Sequence, residues 1–357
     1  MNPFPHIYYV AAALAAIAAL LAVCIPRRTD TYAATAVLLA PLVFVYLMGM
    51  FRTFGIDFEN YEAYLGNERD QIPDPGYRLL MEVVAAFGFN LSEFLFLQGL
   101  FSLGAVCLLA RKLRSDLVVV LTLYMLHGAL VRDFTQSRTA LALAIYFVAL
   151  AQDRKALYAV LTVAACSVHL QLVPLVFVYH WARMVVDLQK WRTFFTVGPA
   201  VGLILSVSLL LKVLVLVDPR IETYMNWAED LYGNPVGSYS GILLLVVIAG
   251  ICHHVQRLTG DKELQIFVIT IMYAVAIFIA FRDVAIFSYR LSNGVAALYP
   301  FAVGRAITLL KGSEQSRLQH FAVSLALLGA VLLAVLFRSG SMDILEATRP
   351  ALLAIGG

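Results

Sequence analysis

Charge is what this sequence has least of. Asp, Glu, Lys and Arg together make up 14% of the 357 residues, against 61% for the hydrophobic set. A soluble domain draws about a quarter of its residues from the charged types, so a water-facing surface cannot be assembled from this stock. What charge there is stands in short clusters between long apolar runs, and the mean hydropathy is +0.83. A basic stripe with interleaved aromatics is also missing, and the formal net charge is only +3, so no nucleic-acid partner is expected. Cysteine is scarce too: Cys24, Cys107, Cys166 and Cys252 each sit inside an apolar run, with no disulfide or metal spacing, and read as small buried hydrophobes. Residues 7–25 are apolar but lack a preceding basic segment, and their small residues lie inside the run, so a first span is expected there rather than a cleaved leader.

What the sequence does have is stretches long enough to cross a bilayer. About 20 apolar residues span the hydrocarbon core, and lipid forces them to be helical because every backbone polar group must pair internally. Such stretches occur near 7–26, 32–51, 92–110, 117–131, 136–151, 194–217, 240–256, 264–281, 291–310 and 320–337. The region 156–183 exceeds one span and is interrupted by Ser167-Val168-His169-Leu170-Gln171, which predicts two short helices. Residues 77–89 are apolar but short and fit an interfacial helix. The expectation is an all-α, polytopic membrane protein of about 12 transmembrane or re-entrant helices, with 1–357 a single transmembrane domain.

Lysine decides the orientation. Arg27/Arg28, Arg111/Lys112/Arg114, Arg154/Lys155, Arg183/Lys190/Arg192, Arg257/Lys262 and Lys311/Arg317 fall on one side of this pattern, which the positive-inside rule makes cytoplasmic. The opposite loops, near 52–91, 132–138, 218–239 and 282–290, hold no lysine and keep arginine, among them Arg52, Arg69, Arg132, Arg138, Arg220, Arg282 and Arg290. Dropping lysine while keeping arginine points to use of the guanidinium fork rather than of charge alone. The parity places both termini outside.

Four places on that outer side have residues worth weighing. In the loop after Arg52, Asp57, Tyr61 and Tyr64 recur at helical spacing, and Asp57 serves equally as an N-cap or as a site residue, with Gly66 a natural stop. Asp74, between two prolines, reads first as a turn residue. Arg132 has Asp133 beside it, whereas Arg138 opens an apolar helix with no adjacent acid. An arginine at the centre of a membrane helix costs about 2.5–3.5 kcal/mol, less near its ends, so Arg138 should have an anionic partner; snorkelling is the plainer account. His169 lies at the break in 156–183, where it is either a general base or an interhelical hydrogen-bonding group in the company of Ser167 and Gln171. Arg282 can pair with Asp283, while Arg290, beside Tyr289, has no neighbouring acid. Two arginines flanking a short loop suit a diphosphate, which accepts bidentate donors. The aromatics of 218–239 (Tyr224, Trp227, Tyr232, Tyr239) are accounted for by a membrane aromatic belt. Cys252-His253-His254 diverge around a helix, and no metal or cofactor is expected, although Asp57, Glu59 and Glu62 imitate a carboxylate cluster.

In order along the chain, Gly55-Ile56-Asp57-Phe58-Glu59-Asn60-Tyr61, Asp74-Pro75-Gly76-Tyr77, Arg138-Thr139-Ala140-Leu141-Ala142, Ser167-Val168-His169 and Tyr289-Arg290-Leu291 resemble the EpsG-like family of bacterial membrane proteins, related in role to the Wzy polysaccharide polymerases. One departure is Asp74, where the family carries glutamate. The resemblance implies a GT-C-like architecture whose outer-face loops carry the site, in the bacterial inner membrane. It implies an enzyme that transfers a growing glycan from undecaprenyl diphosphate to another lipid-linked repeat unit, with the flippase and chain-length regulator of the same pathway as partners. On that reading His169 or Asp57 is the base. Arg138 and Arg290, assisted by Arg282, Arg52 and Arg132, hold the diphosphate, while Tyr61, Tyr289 and Asp74 complete the substrate site. Without a Gly-rich phosphate loop or a cytoplasmic domain, no nucleotide-sugar site is expected. Three rivals remain: a GT-C glycosyltransferase adding one sugar from a polyprenyl-phosphate donor, a flippase or transporter for lipid-linked oligosaccharide, and a non-catalytic assembly subunit. Charge gathered on one side, with only Lys212 at depth, speaks against the transporter.

Overall fold

The computed structural model describes residues 39–50 (without 41 and 45), 58–66, 69–125, 136–188, 196–204, 206, 236–281 and 291–311. Regular structure among the described residues is helical throughout, as the hydropathy requires. Ten α-helices organise them: α1 (Phe58–Leu65), α2 (Pro75–Ala86), α3 (Leu91–Lys112), α4 (Leu117–Leu123), α5 (Ser137–Leu150), α6 (Lys155–Val168), α7 (Val173–Asp187), α8 (Val236–Thr259), α9 (Lys262–Ala280) and α10 (Tyr299–Lys311). Among the described residues, four helical stretches are long and apolar enough to cross a membrane: Leu91–Lys112, Ile242–Thr259, Lys262–Ala280 and Leu291–Lys311, the last continuing α10 back through a short 3₁₀ turn. These match spans expected at 92–110, 240–256, 264–281 and 291–310. The expected spans 7–26 and 320–337 lie outside the described residues.

The predicted break in 156–183 is present. Helix α6 stops at Val168, His169 is extended (φ −154°, ψ 109°), and a 3₁₀ turn over Leu170–Leu172 leads into α7. Each half is short, at 14 and 15 residues, or about 21–23 Å at 1.5 Å per residue. Neither half reaches across a bilayer core alone, and α6 packs along α5, α7 along α9. The short helix expected around Asp57, Tyr61 and Tyr64 forms over Phe58–Leu65, and a helix over Pro75–Ala86 stands where one was expected at 77–89.

Local chemistry sets the helix ends. Asn90 and Glu93 form a reciprocal capping box at the start of α3, with both bonds at 2.9 Å. Asp116 and Asp261 cap α4 and α9 by accepting from Val119 N and Leu264 N. Gly260 turns α8 into α9 with a left-handed φ of +69°, a conformation that glycine adopts without steric penalty.

Two polar ends enclose an apolar middle. At one end Lys311 donates to Asp116 (2.7 Å), Arg305 to Asp261 (2.7 Å) and to the Leu113 carbonyl (2.9 Å), Lys262 pairs with Asp187 and Lys112 with Asp153. Lys112, Lys262 and Lys311 are three of the residues the sequence assigns to a single side. Gly304 lets α10 close on α4 here, since a Cβ would stand 2.6 Å from Val120 Cγ2. Between the ends, apolar side chains point outward: Val163, Phe177 and Leu243 are 69%, 67% and 66% exposed. An apolar exterior of this kind needs lipid rather than water around it, and the chain is a membrane protein.

Candidate functional site

The other polar end is built around Asp74. This residue occupies the N-cap position of α2 (φ −91°, ψ 111°), but its side chain makes no capping bond to the helix. The carboxylate turns away and is 6% exposed. Its Oδ2 accepts from Arg138 Nη1 at 2.7 Å and faces His169 Nδ1 at 3.3 Å, while Oδ1 accepts from the Leu170 backbone N–H at 3.2 Å. The turn-residue reading of Asp74 is therefore too weak; it joins three separate helix ends. Arg138, which has no acid beside it in sequence, finds one 64 positions away.

A close backbone approach makes this junction possible. Gly76 sits so tightly on the end of α6 that a Cβ there would lie 2.3 Å from Ser167 Oγ and 2.7 and 2.9 Å from the Ser167 carbonyl carbon and oxygen. The first turn of α2 is thus pressed onto the turn that carries His169. This approach brings the Asp74 carboxylate within reach of His169 and Arg138.

His169 has one of the two partners that the sequence suggested for a structural histidine, Gln171, and one that it did not. Its Nε2 lies 3.2 Å from Gln171 Oε1, whereas Ser167 Oγ donates back to the Ala164 carbonyl at 2.8 Å and takes no part. Nδ1 faces Asp74. A carboxylate on Nδ1 fixes the imidazole so that Nε2 is the nitrogen aimed away from it, the arrangement used by a histidine base.

Burial pushes the Asp74 carboxyl up. The hydrogen bond from His169, the Leu170 N–H and the charges of His169 and Arg138 outweigh it and hold the group below its ordinary value of 3.8. It is a carboxylate at neutral pH.

Aromatic and polar side chains back the junction. Tyr61 is buried, lies 5.9 Å from Tyr77 and 6.2 Å from Tyr64, and hydrogen-bonds the Arg138 guanidinium. It forms a wall behind Arg138 rather than an open platform for a sugar. Tyr77 reaches Ser137 Oγ at 3.3 Å, and Ser137 in turn bonds Gln98 of α3. Tyr77 stands within a quoted motif and Ser137 directly before one, neither with a role in the sequence reading. Gln98 escaped it altogether, its one signal being an amide inside an otherwise apolar run. The head of the Leu291–Lys311 stretch also comes to this end: a Cβ on Gly294 would lie 3.9 Å from the Gln171 carbonyl oxygen.

Of the sequence-predicted site residues, His169, Arg138, Asp74 and Tyr61 are thus brought together. Asp57, Arg52, Arg132, Arg282, Tyr289 and Arg290 lie outside the described residues, as does the loop at 218–235. No group of His, Cys, Asp and Glu among the described residues has the geometry to hold a metal ion.

No curated protein and no solved structure matches this chain. A family model does: that of the EpsG family fits residues 35–346, a stretch that contains every segment converging on Asp74. The motif pattern and the match agree, and the chain belongs to the EpsG family.

Proposed function

We propose that this protein is a polysaccharide polymerase. It joins undecaprenyl-diphosphate-linked oligosaccharide repeat units into an exopolysaccharide, capsule or O-antigen at the outer face of the bacterial inner membrane. Family membership supports the polysaccharide role. The observation that carries the chemistry is the shared carboxylate: Asp74 orients His169 through Nδ1 and holds Arg138 through the same oxygen.

The reaction follows from what each group can do. The donor glycan already carries a diphosphate leaving group. With the His169 imidazole proton on Nδ1 toward Asp74 and the Gln171 side-chain carbonyl oxygen turned away from Nε2, that nitrogen takes the proton from an acceptor sugar hydroxyl. The hydroxyl oxygen forms a bond to the donor's anomeric carbon as the carbon–oxygen bond to the diphosphate breaks, and the lipid diphosphate departs with the electron pair. Positioned donors and cations at the departing oxygens lower the barrier. Asp74 accepts one of the five N–H donors of Arg138, so the guanidinium keeps others for a phosphate oxygen. Because Asp74 offsets the charge of Arg138, the diphosphate also needs the further cations proposed from the sequence, Arg290 and Arg282, assisted by Arg52 and Arg132. Asp57 is the alternative base, and Tyr289 adjoins the acceptor. A GT-C-like arrangement of about 12 helices, with both termini outside, completes this reading, and the flippase and chain-length regulator of the pathway are the expected partners.

Deletion of the gene tests it. Lipid-linked single units should accumulate while polymer disappears, and purified protein in vesicles should convert such units into a ladder of products. A single sugar addition from a polyprenyl-phosphate donor, or transbilayer movement of substrate with no new glycosidic bond, would end the polymerase assignment.

A further inference from the structure

We infer that Gln98 of α3 is a positioning residue for Arg138, acting through Ser137; this deepens the polymerase reading and rests on it for the role of Arg138. Gln98 lies two turns into a membrane-crossing helix and is 3% exposed. Its amide is fully committed to one neighbour: Oε1 accepts from Ser137 Oγ at 2.7 Å, and Nε2 donates to the Ser137 backbone carbonyl at 3.1 Å. A carbonyl oxygen only accepts, so Nε2 must face it, and the orientation of the amide is fixed without appeal to anything else. With the Ser137 hydroxyl proton used on Gln98, Tyr77 is the donor in the Tyr77–Ser137 contact. The network therefore runs in one direction, from Tyr77 on α2 through Ser137 on α5 to Gln98 on α3.

Its place in the fold matters more than its existence. The residue preceding α5, Gln136, makes no side-chain capping bond to a backbone N–H; its Oε1 only accepts from Thr139 Oγ1 at 3.2 Å, so no capping side chain of α5 itself ties Ser137 to the neighbouring helices. Gln98 does that work at Ser137, the residue before Arg138. A polar group buried this deeply in a membrane helix is retained only where it has a partner and a purpose, and the three motifs that meet here need α2, α5 and α6 in one register.

The experiment uses the full-length protein in detergent, treated with phenylglyoxal and mapped by mass spectrometry, alongside polymerisation in vesicles. Arg305, 16% exposed at the far end, is the internal control. In Gln98→Leu the Arg138 peptide should be modified several-fold faster than in wild type while the Arg305 peptide is unchanged. Gln98→Glu, which keeps the shape but sets a carboxylate oxygen against the Ser137 carbonyl, should do the same and decides the matter if the leucine variant fails to insert. In vesicles each variant should lose at least tenfold in activity, with no further loss when combined with Arg138→Lys. Unchanged Arg138 modification in a folded variant, or a full extra loss in the Arg138→Lys background, would overturn the inference. If wild type makes no polymer, the polymerase reading fails, and the modification arm still decides what Gln98 holds.

Discussion

Asp74 has one charge and three donors, and that ratio determines how substitutions in the site should behave. Asp74→Asn keeps the shape but leaves Arg138 without its counter-charge, and removing one member of a buried ion pair costs about 3–5 kcal/mol. Thermal unfolding in detergent should report a loss of that order, with activity abolished. The pH response has a definite sign. Because the folded carboxyl titrates below its ordinary 3.8, its contribution is complete above that value and is lost as pH falls through the lower, folded one. Wild type should therefore lose stability on acidification below about pH 4 more steeply than Asp74→Asn; parallel acid limbs would remove the charge from the account. His169→Ala should reduce turnover by about 10²–10⁴-fold, the usual scale of general base catalysis, with insertion unaffected. Arg138→Lys should lose most activity although the charge is kept, because a lysine cannot serve Asp74, Tyr61 and a phosphate oxygen from one point. The need of Arg138 for an anionic partner was legible in the sequence, but the partner was not. Periodicity and capping rules describe neighbours within a few residues, whereas Asp74 and Arg138 are 64 apart.

Elements meet here through one glycine. Gly76→Ala would force a methyl into the Ser167 backbone, an overpacking of a kind that costs about 1–3 kcal/mol and moves α2 off α6. Activity should fall with stability, because Asp74 rides on the same turn. Gly88→Ala is the contrasting case: φ there is +73° and nothing lies within 4 Å, so only the backbone penalty of about 1 kcal/mol applies and activity per folded molecule should be kept. If both variants behave alike, the Gly76 contact does not govern the site. The helical hairpin with His169 at its break was readable because Ser167 and Gln171 interrupt an apolar run. The tight seat of Gly76 was not, since a glycine after proline reads as an ordinary turn until the chain it touches is known. Gln98 was hidden for a different reason: averaging hydropathy over a span erases one amide.

At the scale of the molecule, the described helices carry the site at one end and a seam of ion pairs at the other. Arg305→Ala should lower stability, removing the counter-charge of Asp261, which keeps only the Leu264 N–H, and the guanidinium donor of the Leu113 carbonyl, yet spare activity per folded molecule. The seam also gives the orientation a direct test. A cysteine at Lys262, 69% exposed, in a background lacking the native cysteines should react with an impermeant maleimide only in inside-out vesicles; reaction in intact cells would invert the topology and with it the outer-face site. Membrane character and much of the helix layout followed from hydropathy alone, whereas the pairing of Arg305 with Asp261, 44 positions apart, did not. The spacing of the site along the chain has a bearing on biogenesis. Asp74 leaves the ribosome 64 residues ahead of Arg138 and 95 ahead of His169. The carboxylate is thus already made when the guanidinium emerges, so a cation that membrane helices tolerate poorly never has to wait for its anion to be synthesised.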